Sequence, residues 1–265
     1  MKYTFGFIGC GNMGGALVTA VSKTTAPKQI AVCDYDKAKV EKFASTLGVV
    51  GATAQEVAKD SRFVVLGVKP QMMASVVAEF AETLRNRTDV TIITMAAGLS
   101  ISSIRSFIGK DLPVIRIMPN TPVTLGAGMV LYATDGVDKD TETAFLSGFA
   151  KVGKVDKIPE DKIDAASALS GCGPAFVYAF AEALADGAVE CGVPRDKAAL
   201  YTAQTLLGAA EMLLEYGHPA DLKDAVCSPG GTTIAGVHAL EKAGFRNAAM
   251  DAVTAAYKRT LELKK

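Results

Sequence analysis

The chain has 265 residues, 28 basic and 28 acidic side chains, a formal net charge of zero and 49% hydrophobic residues. That is apolar material for one large domain or two modest ones, and the charge balance excludes a broad electrostatic footprint for nucleic acid or an anionic membrane. Cys10, Cys33, Cys172, Cys191 and Cys227 form no C-x-x-C pair and His218 and His238 are the only histidines, which excludes a framed metal site, a redox dithiol and histidine-cluster catalysis.

In chain order, Tyr3–Ile8 reads as a strand and 12–22 as a helix, followed by a strand at 29–33, the charged helix Lys37–Leu47 and a weak strand at 48–51. Segments 62–68, 90–95 and 114–118 are further strands, rich in Val and Ile and apolar on both faces, as in a parallel sheet covered by helices on both sides. A strand at 126–132, a helix at 140–151 and an extended piece at 154–158 complete this half. Beyond residue 160 only helical patterns follow, punctuated by Gly and Pro. The fold class is therefore α/β, with an N-terminal Rossmann-type dinucleotide-binding domain over 1–160 and an all-helical domain over 161–265.

The start of the chain lacks the continuous apolar run of a secretory signal, its stretch being cut by Gly9, Gly11 and Asn12. The uncharged stretch 165–181 falls short of a bilayer span and carries Gly171, Gly173 and Pro174, so it is expected in a folded core. With unpaired cysteines and no export signal, the chain is expected in the cytoplasm. In the helix over 197–216, Gln204, Gly208, Glu211 and Glu215 form one narrow stripe among Ala, Leu, Met and Tyr. A domain of about 100 residues has little with which to cover such a helix, so a second subunit is expected there. The last helix, 246–265, aligns Met250, Val253, Tyr257 and Leu261 on one face.

The strongest motif is Gly9-Cys10-Gly11-Asn12-Met13-Gly14, directly after a strand and opening a helix. Its glycines serve a tight turn, close approach to a pyrophosphate and helix-to-strand packing, with the helix N-terminus favouring negative charge. Asp34 follows at about the expected ~20-residue spacing and suits the adenosine ribose hydroxyls of NADH; Lys37 and Lys39 leave NADPH open. Further strand ends carry Val68-Lys69-Pro70, Met95-Ala96-Ala97-Gly98 and Pro119-Asn120-Thr121-Pro122, where ligands of open parallel sheets gather. Lys69 and Asn120 are assigned to that edge. In the helical half, Ser170-Gly171-Cys172-Gly173-Pro174-Ala175 interrupts an apolar helix, and Ser228-Pro229-Gly230-Gly231-Thr232-Thr233 leads into a helix over 234–242. Two glycines, hydroxyls and a helix N-terminus suit a small carboxylate. Cys172, Cys227 and His238 read as structural.

These segments, together with Leu222-Lys223-Asp224-Ala225-Val226-Cys227 running into Ser228, make the chain resemble the pyrroline-5-carboxylate reductases almost throughout. The resemblance implies hydride transfer from NADPH or NADH to the C=N bond of 1-pyrroline-5-carboxylate, giving L-proline. It implies that Gly9, Cys10, Gly11, Asn12, Met13 and Gly14 hold the pyrophosphate and that Val68, Lys69, Pro70, Ala96 and Ala97 line the nucleotide groove. Ser228, Gly231, Thr232 and Thr233 would bind substrate, with Thr233 the catalytic candidate at the ring nitrogen. It implies further a homodimer with interleaved helices, the substrate held at its interface, and possible rings of dimers. Where many members carry Asn-Arg after the second strand this chain has Asp34-Tyr35, a departure that bears on the coenzyme and not on the reaction. Two alternatives remain: a two-domain hydroxyacid dehydrogenase, disfavoured because the segment after Gly173 offers Glu182, Asp186 and Glu190 but no Lys or His base, and a nucleotide-binding regulatory protein.

Overall fold

In the computed structural model, which describes residues 1–262, β1 (Tyr3–Ile8) runs into α1 (Asn12–Val21), β2 (Ile30–Cys33) into α2 (Lys37–Leu47), and β3 (Val50–Gly51) into α3 (Ala54–Asp60). Next come β4 (Ser61–Leu66), α4 (Met73–Ala78), α5 (Ala81–Arg85), β5 (Thr91–Thr94), α6 (Ile101–Ile108), β6 (Val114–Pro119), β7 (Gly128–Asp135), α7 (Lys139–Gly148), β8 (Gly153–Lys157) and α8 (Glu160–Ser170). The rest is helical: α9 (Gly173–Glu190), α10 (Arg195–Tyr216), α11 (Pro219–Ala225), α12 (Thr232–Lys242) and α13 (Phe245–Glu262). The expected final helix extends into 263–265, which lie outside the described residues.

Local chemistry sets the helix ends. The Asp36 side chain caps α2, which stops at Gly48 in the left-handed region, and Thr53 and Glu56 form a reciprocal capping box at the start of α3. The strands form one eight-stranded sheet in the order β3-β2-β1-β4-β5-β6-β7-β8. Helices cover both faces. Phe5, Phe7, Leu17, Phe145 and Phe149 belong to one core cluster, and Ile8, Val57, Phe80 and Ile104 to the other. Phe5 stacks on Phe63 at 5.0 Å between ring centroids, and Phe145 tilts against Phe149 at 4.6 Å.

The sheet departs from the wholly parallel expectation at one place: β6 and β7 pair antiparallel. The connection over 120–127 is too short for a crossover helix, so the chain must return beside the strand it has just left. Strand β4 also ends earlier than expected, before Gly67, and β7 begins later than the predicted residue 126. Because strand order reverses on the two sides of β1, the crevice at the carboxyl ends of β1 and β4 is the topological switch point.

A buried ion pair fixes α8 to the sheet. Arg116, in the middle of β6 and 2% exposed, reaches Asp164 Oδ1 through Nη2 at 2.5 Å and Glu160 Oε1 through Nη1 at 3.5 Å. The same Glu160 oxygen accepts from the Ile101 N–H at 2.7 Å, satisfying the start of α6. Ile163 packs with Met118, Leu131 and Ala133 under the helix.

The contacts divide the chain into two compact units, one of residues 1–172 with the chain end from Ala256, the other Gly173–Ala255. In the second unit α9 and α10 pack together, and the Phe180 and Phe245 rings meet at 5.3 Å. Within a single chain this unit leaves most of its apolar surface open. Helix α9 buries only Ala185, and α10 only Ala198 and Thr202. The expectation that 165–181 sits in a folded core holds within one chain only for its start, where Ser167 and Ala168 are buried, and fails beyond, where Leu169, Val177 and Tyr178 are exposed. By length and composition alone the helical stretch Glu160–Glu190 is long and apolar enough to cross a membrane, although it is broken at Gly171 and Cys172 and its first turns are held to the sheet by Arg116.

Candidate active site

The switch point is built by three glycine backbones pressed together. A Cβ on Gly14 would lie 2.2 Å from the Gly9 carbonyl oxygen, and one on Gly67 would lie 2.3 Å from the same atom. Gly9 itself has φ +94°, a conformation that glycine adopts without strain. Gly11 differs, since a Cβ there would meet nothing within 4 Å. The crossing is thus tight on the inside and open on the side where a ligand backbone would approach. Helix α1 starts at Asn12 with Gly11 as N-cap and no side-chain cap, so the first-turn N–H groups of Asn12, Met13 and Gly14 precede any intrahelical acceptor. This cradle fits a dinucleotide pyrophosphate. Gly67 escaped the sequence reading, which ran β4 through to Val68; a glycine between an apolar strand and Lys69-Pro70 was the available signal.

Asp34 sits at the mouth of β2 with its side chain 11% exposed. Its Oδ2 accepts from the Cys10 N–H at 2.6 Å and its Oδ1 from the Asp36 N–H at 2.9 Å, with Lys39 Nζ 3.8 Å from Oδ1. The Cys10 N–H is committed to Asp34 and its buried thiol donates to the Cys33 carbonyl at 3.6 Å, so Cys10 also supports the turn from within. Burial, reinforced by the nearby Asp34 carboxylate, pushes the Cys10 thiol up to about 12, keeping it neutral and unreactive.

A cavity of about 310 Å³ adjoins this corner, lined by Gly11, Asn12, Thr19, Lys39, Lys42 and Thr124 among others. At the neighbouring strand ends, Val68 and Pro70 are half-buried, Lys69 and Ala97 exposed, and Ala96 buried. Asn120 is also buried, and its amide is largely used within the protein. Nδ2 donates to the Ser170 carbonyl at 2.9 Å and Oδ1 accepts from the Met129 N–H at 2.9 Å. These bonds tie the loop after β6 to β7 and to the end of α8.

The other expected residues lie in the second unit, on the turn before α12. Gly230 has φ +69°, and a Cβ on Gly231 would lie 2.4 Å from Ser228 Oγ. The Gly231 N–H donates to the Ser228 carbonyl at 3.0 Å, closing the turn so that Ser228 faces the helix start. Gly231 is the N-cap and no side chain caps the helix; a simple capping role for Thr232 is therefore excluded. The exposed Thr232 and Thr233 carry their hydroxyls on the first turn, beside N–H groups suited to an anion. Among the described residues no group of three or more His, Cys, Asp or Glu side chains is placed to hold a metal.

Comparison with known proteins gives two matching family models. Residues 160–263 match pyrroline-5-carboxylate reductase dimerisation, and residues 4–98 match NADP oxidoreductase coenzyme F420-dependent. The pyrroline-5-carboxylate reductase of Synechocystis is 43% identical over 270 residues, covering 100% of each chain. Among solved structures, a pyrroline-5-carboxylate reductase from Coxiella burnetii superposes with a TM-score of 0.91 at 34% identity, covering 100% of both chains. A Plasmodium falciparum pyrroline carboxylate reductase with NADP bound gives 0.89 at 30% identity, again over 100% of both. The chain belongs to the pyrroline-5-carboxylate reductase family.

Proposed function

We propose that the chain reduces the C=N bond of 1-pyrroline-5-carboxylate to give L-proline, using NADPH or NADH, as the last step of proline biosynthesis. The observation that carries this reading is the uncapped start of α12 behind Gly230 and Gly231, flanked by the Ser228, Thr232 and Thr233 hydroxyls, in a chain that matches curated reductases end to end. Residues 1–160 then form the dinucleotide-binding domain and 161–265 the substrate-binding and dimerisation domain.

In this account Gly9, Gly11, Asn12, Met13 and Gly14 cradle the pyrophosphate and Asp34 takes the adenosine ribose. Val68, Lys69, Pro70, Ala96 and Ala97 line the groove, while Cys10 and Asn120 hold its walls. Ser228, Gly231 and Thr232 fix the substrate carboxylate by hydroxyl and backbone donors, and Thr233 hydrogen-bonds the ring nitrogen. When bound, the reduced nicotinamide supplies a hydride to the imine carbon. The protonated imine is the stronger electrophile, so the substrate brings its own activating proton and the chain needs no dedicated proton donor. Its task is orientation and a favourable field at the carboxylate.

The open apolar faces of α9 and α10 support a homodimer, and rings of dimers are the further assembly this reading admits. Five free cysteines favour the reducing cytoplasm. Replacing Thr233 by Ala tests the site. Turnover of 1-pyrroline-5-carboxylate should fall roughly tenfold, the worth of one hydrogen bond made to a charged group, with coenzyme affinity retained. An unchanged kcat would remove Thr233 from its role.

A further inference from the structure

We propose that Asp34 and Tyr35 make this chain select NADH over NADPH; the inference rests on the proposed placement of the coenzyme at the β1–β4 switch point.

Three observations carry it. First, the Asp34 carboxylate is not a free rotor. Two backbone N–H groups from separate segments, Cys10 and Asp36, hold one oxygen each at 2.6 and 2.9 Å. Swinging it aside to admit a 2′-phosphate would break both bonds and strand the Cys10 N–H in a buried turn. Each oxygen keeps a further lone pair, so the fixed group can accept from a ribose diol at no extra conformational cost.

Second, the cations of this corner are offset by carboxylates, and the one nearest Asp34 is shared. Lys39 Nζ lies 3.8 Å from Asp34 and 3.9 Å from Asp36, so its charge is shared between two carboxylates. Lys42 lines the same cavity and Lys37 is exposed at the start of α2; over residues 34–42 these lysines are matched in number by Asp34, Asp36 and Glu41. A monoester phosphate entering here would bring its negative charge to within hydrogen-bond range of a carboxylate held in place. Third, the position directly after the carboxylate holds Tyr35, whose side chain is fully exposed at 103%. An aromatic ring there offers the adenine a stacking face, while an arginine at that position would supply the bidentate partner that a 2′-phosphate needs.

The test is direct binding, followed by kinetics, on the full chain. Titrating NADH and NADPH calorimetrically should give a lower Kd for NADH by roughly tenfold to a hundredfold, the worth of a charge-assisted hydrogen bond gained and a like-charge contact avoided. The ratio of kcat/KM values should follow. Asp34→Asn should narrow the ratio at least tenfold, mainly by improving NADPH binding, and the surface change Tyr35→Arg should shift it the same way without touching the carboxylate. Equal or tighter binding of NADPH by the wild type, or a ratio that neither variant moves, overturns the proposal. Tight NADH binding without turnover of 1-pyrroline-5-carboxylate would refute the proposed reaction and leave coenzyme selection standing, whereas binding of neither coenzyme refutes both.

Discussion

At the scale of single residues, the glycines of the switch point divide into two kinds by what a methyl group would meet. Gly14 has the Gly9 carbonyl oxygen 2.2 Å from a would-be Cβ, whereas Gly11 faces open space. Gly14→Ala must therefore displace backbone, costing about 1–3 kcal/mol of stability and weakening coenzyme binding with it. Gly11→Ala should leave the thermal midpoint within experimental scatter yet weaken coenzyme binding, because in the proposed placement the methyl group would stand where the pyrophosphate approaches. Thermal unfolding paired with coenzyme titration separates the two; equal behaviour of the variants would show that the crossing has only one role. Much of this corner was legible in the sequence, since glycine spacing and a carboxylate near the end of β2 are local signals. Which partner each group uses was not. The Cys10 N–H is taken by a carboxylate 24 residues away, and the Asn120 amide reaches across 50 residues to Ser170, and no local pattern encodes those pairings.

At the scale of elements, α8 is held by charge buried in an apolar setting. Arg116 and Asp164 are 2% and 3% exposed at the side chain, and Glu160 is the more distant anion. Asp164→Leu removes the short partner of a buried guanidinium and should cost about 3–5 kcal/mol. The double change Arg116→Met with Asp164→Leu should recover most of that loss, because an apolar pair of similar volume carries no desolvation penalty. Denaturant midpoints read both, and a single variant as stable as wild type would contradict the anchoring role. Periodicity found β6 as an apolar strand but gave no hint that its arginine points to a helix 48 residues later. It also missed the reversal at β7, which follows from the length of a connection and not from strand composition.

At the scale of the whole molecule, the two units differ in how much of their apolar surface one chain covers. The sheet unit buries its aromatic cores almost completely. The helical unit leaves Tyr201, Leu207 and Leu214 at 58, 53 and 78% exposure, large apolar side chains that a second subunit would cover. Light scattering should therefore give at least twice the chain mass at micromolar concentration, and Leu207→Asp should lower it; a wild-type monomer would contradict the reading. The polar stripe of α10 made this legible in advance, because an apolar helix in a domain too small to enclose it requires an external cover. Product stoichiometry reads the proposed reaction without intermediary. Incubated with reduced nicotinamide coenzyme and 1-pyrroline-5-carboxylate, the protein should form L-proline mole for mole with oxidised coenzyme. Absence of proline, or coenzyme oxidised without it, would contradict the account.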